Sequence, residues 1–188
     1  MHERISIQNL SKTFDGHTVL KDYTGEISLS GVTVIRGASG AGKTTLFRLL
    51  LGLEQPDSGK ITGMQGRKPA VVFQEDRLLP WATALENAAM GSDEVRAKNT
   101  LERLGLGENL CQLPRELSGG MKRRVAIARA LAYGGDILFL DEPFTGLDED
   151  NKRIAAQAML EANVPILVIT HDDAEAELFG ENKEIVID

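Results

Sequence analysis

Short, uninterrupted apolar runs and longer stretches of helical spacing alternate along this chain. Val32-Thr33-Val34-Ile35 and residues 69–73, 136–140 and 165–170 are brief, largely apolar and lack in–out alternation. Such runs predict strands buried on both faces, as in a parallel sheet. Residues 4–9 differ, because Ile5 and Ile7 alternate with polar neighbours and predict an edge strand. After the turn at Asp15-Gly16, residues 19–30 alternate weakly and read as a second strand region broken at Gly25. The turns between these early strands are too short for helical crossovers, so their pairing is antiparallel. Pro56-Asp57-Ser58-Gly59 is a further turn before a short strand at 60–62.

Helical signals occupy the middle. Residues 45–51 carry no Pro or Gly. Thr83-Ala84-Leu85-Glu86 is a capping box, and Ser92-Asp93-Glu94 opens a helix reaching Leu104. A loop at 113–116 precedes a helix over 119–133 with Met121, Val125, Ala128 and Ala132 on one face, ended by Gly134-Gly135. Helices near 149–162 and 173–179 and a last strand at 183–187 complete the pattern. The chain thus reads as one α/β domain over 1–188. Its core covers residues 1–82 and 135–188, N-terminal antiparallel strands lead into it, and an α-helical subdomain is inserted over 83–134.

Composition narrows the class. The 188 residues are 42% hydrophobic and 26% charged, ordinary values for a globular chain. A formal net charge of −7 argues against nucleic acid as a partner. The basic triplet Lys122-Arg123-Arg124 reads as one polar helix face. Cys111 is the single cysteine, which excludes an internal disulfide and fits a reducing cytoplasm. The N-terminal residues are charged and lack the apolar core of a signal peptide. No apolar run approaches the roughly 18 residues needed to span a bilayer, so work at a membrane requires a partner.

The chemistry sits where the pattern switches from strand to helix. Gly37-Ala38-Ser39-Gly40-Ala41-Gly42-Lys43-Thr44 follows a strand and opens a helix. Glycines let backbone N–H groups converge on phosphate oxygens, and the helix dipole favours negative charge. Lys43 would reach the β- and γ-phosphates, Thr44 would ligate Mg²⁺, and Thr45 begins the helix. A merely steric turn is the competing reading, and the full pattern in this context disfavours it. The strand 137–140 ends in Asp141 and Glu142. Beside a phosphate loop, Asp141 would hold Mg²⁺ through water and Glu142 would polarise the attacking water; alone, the pair is equally an acidic turn. Ser118-Gly119-Gly120 forms a second uncovered helix start suited to phosphate, although an isolated S-G-G is usually only a helix start. Two copies arranged head to tail would close each nucleotide between one phosphate loop and the partner's Ser118, Gly119 and Gly120.

Five elements now agree in order and spacing: the phosphate loop, Gln74, the run Leu117-Ser118-Gly119-Gly120-Met121, the strand ending at Glu142, and His171. With them the chain resembles the ATP-binding subunit of an ABC transporter, over essentially its whole length. The resemblance implies an α/β P-loop NTPase (RecA-like) core, bound ATP and Mg²⁺, and ATP hydrolysis coupled to transport. It implies that Phe14 stacks on adenine beside Val19, that Gln74 senses Mg²⁺ and the γ-phosphate, and that His171 contacts the γ-phosphate. It also implies that Thr145-Gly146-Leu147-Asp148 crosses the interface of a head-to-tail dimer. Phe14 as plain core, Gln74 as a strand-end cap and His171 as a surface histidine stay open as alternatives.

Residues 74–81 resemble those of importers of nitrate, sulfonates and taurine, a branch in which Met121 replaces a commoner Gln. That implies a membrane permease, a second ATP-binding subunit, an extracytoplasmic solute-binding protein, and a cytoplasmic location against the inner face of the membrane. Arg123 departs from the family where Gln is frequent, and the chain ends at Asp188, earlier than most members. Leu78, Leu79 and Trp81 form an apolar patch divided between core packing and a permease helix. A soluble, non-transport ABC ATPase and a regulatory module without turnover are the competing readings, and Glu142 argues against the second.

Overall fold

The structure is a computed structural model and describes residues 4–187. Its frame is a parallel sheet of five strands in the order β5-β6-β7-β3-β8. These are β3 (Val32–Arg36), β5 (Pro69–Val72), β6 (Ile137–Asp141), β7 (Ile166–Ile169) and β8 (Asn182–Val186). The uniformly apolar runs divide by parity. Val32, Val34, Ala70, Val72, Leu138, Leu140, Ile166 and Val168 face one layer, while Ile35, Ile137, Phe139, Leu167 and Ile169 face the other. Both layers are covered, which is why these strands carry no polar alternation.

The first layer consists of α4 (Gly119–Tyr133), α5 (Glu149–Leu160) and α6 (Asp173–Glu177). The same buried cluster continues through α4 into α2 (Ala84–Ala88) and α3 (Glu94–Arg103), which pack on α4. The second layer holds α1 (Lys43–Leu50), with Phe47 meeting Phe139 edge-on at 5.1 Å. A three-stranded antiparallel sheet, β2-β1-β4, adds Ile5, Ile7, Leu10, Leu20 and Ile27 to that layer. Its strands are β1 (Arg4–Phe14), β2 (His17–Ser28) and β4 (Ser58–Thr62).

Several sequence expectations change here. β1 is the centre of its sheet rather than an edge, because β4 pairs on its other side with Ile7 opposite Ile61. β2 runs unbroken through Gly25, which pairs with Ile7. Helix α1 starts at Lys43 instead of Thr45, since Gly42 takes the left-handed N-cap conformation at φ 91°. Residues Pro114–Glu116 form a 3₁₀ turn within the expected loop. Arg123 leaves the polar face proposed for the basic triplet and is buried, at 1% exposure.

The register carries the consequence for function. Val34, Val168, Leu140 and Val72 are linked laterally across β3, β7, β6 and β5. Two or three residues further along, these strands release the phosphate loop, His171, Glu142 and Gln74 at one edge of the sheet. That edge is the carboxyl end, where open α/β sheets bind ligands.

Candidate nucleotide site

A cavity of about 390 Å³ opens at this edge, lined by Val19, Ser39, Gly40, Gly42, Lys43, Thr44, Thr45, Gln74, Asp141, Glu142 and Ile169. The loop around it is built by close approach. A Cβ on Gly37 would lie 2.3 Å from the Ile187 carbonyl oxygen, so no other residue fits there without a shift. Gly42 supplies no side-chain cap to α1, and the first turn of that helix has no acidic residue. Its N–H groups therefore face the cavity with their partial positive charge uncompensated by protein carboxylate. Lys43 Nζ donates to the carbonyls of Gly37 and Ala38 at 2.7 and 2.8 Å, which holds the ammonium against the loop; the Ala41 amide donates to Ala38.

Thr44 and Asp141 meet across the sheet, with the Thr44 hydroxyl donating to Asp141 Oδ2 at 3.0 Å. Asp141 is buried. Desolvation pushes its carboxyl above the ordinary carboxylate range, opposed first by the Thr44 hydrogen bond. A desolvated carboxylate beside a hydroxyl is a hard-oxygen pair suited to Mg²⁺. Among the described residues, no group of three or more His, Cys, Asp or Glu is arranged to hold a metal ion by itself.

Glu142 follows in the left-handed region at φ +49°, uncommon for a side chain of this size. The next residue after an extended strand is thereby turned aside from the Asp141 direction. His171 Nδ1 donates to both Glu142 carboxylate oxygens, at 3.0 and 3.1 Å. That hydrogen bond, and then the Glu142 charge, hold the imidazole's pKa above the usual histidine value. The Glu142 amide is fixed by the Ile169 carbonyl at 2.9 Å, so strand β7 supports both members of the pair.

Other expected residues lie outside the cavity. Phe14 is half-buried and not part of its walls, and the Lys12 ammonium sits over its ring at 5.0 Å. Ser118 caps α4, accepting from the Met121 amide at 3.2 Å, and remains exposed with Gly119. A Cβ on Gly120 would lie 2.8 Å from the Gly146 carbonyl oxygen, so the helix start rests on the 145–148 loop. Asp148 caps α5, accepting from the Asn151 amide at 2.9 Å, and this bond leads the causes that lower its pKa. Trp81 is 74% exposed while Leu78 packs on the core, which divides the apolar patch.

Sequence reading missed the scaffolding behind these groups. Thr170 donates to Glu175 Oε2 at 2.7 Å in a buried pair that Lys152 completes, tying the segment after β7 to α5 and α6. Arg123 and Arg129 both donate to the segment carrying Gln74; Arg129 stands between alanines, and Arg123 stands in the basic triplet that reads as a polar face.

A parallel sheet with a phosphate loop, a carboxylate-ended strand one place removed from the loop's own strand, and a cavity shared by both defines a P-loop nucleoside-triphosphatase. Comparison with known proteins gives the particular family. The family described as ABC transporter matches residues 20–145. The aliphatic sulfonates import ATP-binding protein SsuB 2 of Paraburkholderia xenovorans (strain LB400) is 39% identical over 181 residues, covering 92% of this chain and 72% of that protein. SsuB of Rhodopseudomonas palustris (strain BisA53) is 38% identical over 200 residues, covering 98% and 71%. A solved dimeric structure of the ATP-binding cassette MJ0796, in a post-hydrolysis state with ADP and Pi, superposes with a TM-score of 0.86 at 28% identity, covering 97% of this chain and 94% of that one. The chain belongs to the ABC transporter family as an ATP-binding, ATP-hydrolysing subunit, with the P-loop NTPase fold.

Proposed function

We propose that this subunit powers uptake of a small solute of the sulfonate type through a partner permease. The observation that carries the reading is the match, at 39% identity over 92% of the chain, to proteins named for sulfonate import, joined to an assembled nucleotide site. The same match disfavours a soluble, non-transport cassette. ATP lies with its phosphates on the loop from Gly37 to Thr44. Lys43 and the α1 amides stabilise phosphate charge, and Thr44, Asp141 and Gln74 hold Mg²⁺, which supplies Lewis acidity at the γ-phosphate. Glu142 accepts the proton of the attacking water, His171 contacts the γ-phosphate, and Phe14 and Val19 receive the adenine.

The exposed start of α4 completes the site of a second copy. In the head-to-tail dimer, Ser118, Gly119 and Gly120 close over the partner's nucleotide, and the loop ending at Asp148 crosses the interface. The helical segment 83–134 is the insert that carries this helix start on the core formed by 1–82 and 135–188. Exposed Trp81, next to the Gln74 loop, receives a cytoplasmic helix of the permease. Among the described residues no helix is long and apolar enough to cross a membrane, so that contact holds the subunit peripherally at the inner face. An extracytoplasmic solute-binding protein delivers the solute.

Reconstitution tests this reading. Proteoliposomes containing the co-purified permease, supplied with ATP inside and a solute-binding protein outside, should accumulate an alkanesulfonate. Accumulation should vanish with Glu142→Gln. Loading that persists with Glu142→Gln, or no alkanesulfonate uptake by an active ATPase complex, would reject the proposal.

A further inference from the structure

Arg123 is the largest fully buried side chain, at the fifth position of α4, and it has no part in the chemistry assigned above. Its guanidinium reaches two segments at once. Nη1 donates to the Phe73 carbonyl at 2.6 Å, to the Gln74 carbonyl at 3.3 Å and to Asp76 Oδ1 at 3.2 Å. Nη2 donates to the carbonyls of Asp141, at 2.8 Å, and Glu142, and Nε donates to that of Pro143 at 2.9 Å. One side of the fork grips the segment after β5, and the other grips the turn after β6.

Those two segments need a connector. Backbone pairing between β5 and β6 ends at Val72 and Leu140. Among the described residues, no backbone hydrogen bond joins residues 73–77 to residues 141–143. Glu142 is held at φ +49°, a conformation that persists only where its surroundings enforce it. Two of the enforcing contacts fall on its own carbonyl, from Arg123 Nη2 and from the Thr145 hydroxyl at 3.1 Å. Only a guanidinium supplies five N–H donors in a planar fork; an amide or an ammonium cannot serve all six acceptors.

We propose that Arg123 is a positioning residue for hydrolysis, a buried clamp that locks the Gln74 segment to the Asp141-Glu142-Pro143 turn and so sets the aim of the Glu142 carboxylate. It is buried and does not line the cavity. Its effect is therefore on kcat and not on ATP affinity. Arg129, donating to the carbonyls of Asp76 and Arg77 at 2.7 and 2.9 Å, seats the far end of the same segment.

The proposal rests on Glu142 being the base, and the experiment separates the two. Arg123→Gln should lower kcat by about 10²-fold, the scale of a catalytic group misplaced by an ångström, with KM for ATP within about twofold of wild type. In a Glu142→Gln background the same change should lower residual turnover by less than about twofold, because its route to the chemistry is already cut. Asp76→Asn loosens the clamp from its half-exposed end while the core stays filled, and should lower kcat about threefold at unchanged KM. Multiplicative losses in the double variant, a raised KM with normal kcat, or normal kcat in Asp76→Asn would each overturn the clamp. If Arg123→Gln does not fold, the Asp76→Asn kinetics decide alone. Wild-type turnover by Glu142→Gln would instead remove the assignment of the base.

Discussion

Lys43 and His171 both engage partners within the chain that a nucleotide would compete for. Lys43 Nζ rests on two loop carbonyls, and a phosphate oxygen offers it a full opposing charge instead. Lys43→Ala removes that charge contact and no core packing, so ATPase turnover should fall by at least about 10²-fold. The melting temperature should stay near that of the unchanged protein, and near-normal turnover in a folded variant would take Lys43 out of the mechanism. His171 makes a prediction about pH. Its pKa is raised by Glu142, so the charged pair is complete below the ordinary histidine value, about 6.5, and is lost as pH rises through the raised value. The imidazole is largely exposed, so the effect on stability is small. An NMR titration should place the His171 midpoint above 6.5, and Glu142→Gln should bring it back toward that value. An unshifted midpoint in the unsubstituted protein would show that the pair does not persist in solution.

Among the elements, legibility followed the range of the forces involved. Strands β3, β5, β6 and β7 were readable because burial on both faces makes their residues uniformly apolar, and the phosphate loop because its geometry requires glycines at set positions. The cap roles of Ser118 and Thr83 were readable for the same local reason. The central place of β1 was not, since it depends on β4, whose Ile61 lies 54 residues beyond its partner Ile7. Gly25 gave a local signal for a break, and pairing with Ile7 overrode it. Arg123 reads as exposed in a basic triplet because the carbonyls that satisfy it come from two distant segments. The start of α4 carries this scale's prediction. Ser118→Arg places a long cation at an exposed cap that lies outside the cavity of its own chain. It should suppress hydrolysis at least about 10²-fold, the lower end for a group that acts in the transition state, while ATP binding to the monomer survives. A Ser118→Arg protein that hydrolyses ATP at full rate would show that the composite site does not form.

At the scale of the whole molecule, the groups proposed for hydrolysis fall on two surfaces: the cavity at the sheet edge, and the exposed Ser118-Gly119 cap beside the 145–148 loop. One chain does not bring them together, and the solved MJ0796 cassette that it superposes on is dimeric. Closing two chains over ATP and reopening them after hydrolysis would therefore be a cycle in which the chemical step controls the association. Glu142→Gln isolates that step. The change is nearly isosteric, so the turn held by Arg123 and Ile169 stays filled. It removes a carboxylate able to take a proton from water, a loss of about 10²–10⁴-fold in rate. It also removes a negative charge beside the γ-phosphate, so ATP affinity should hold or rise. The closed form should then accumulate, and the variant with ATP should elute from size exclusion as a dimer at protein concentrations where the unsubstituted chain elutes as a monomer. Running the series over a wide concentration range separates weak association from none. A variant that loses turnover yet stays monomeric throughout would retain Glu142 as the base and discard ATP-driven closure of the isolated subunit.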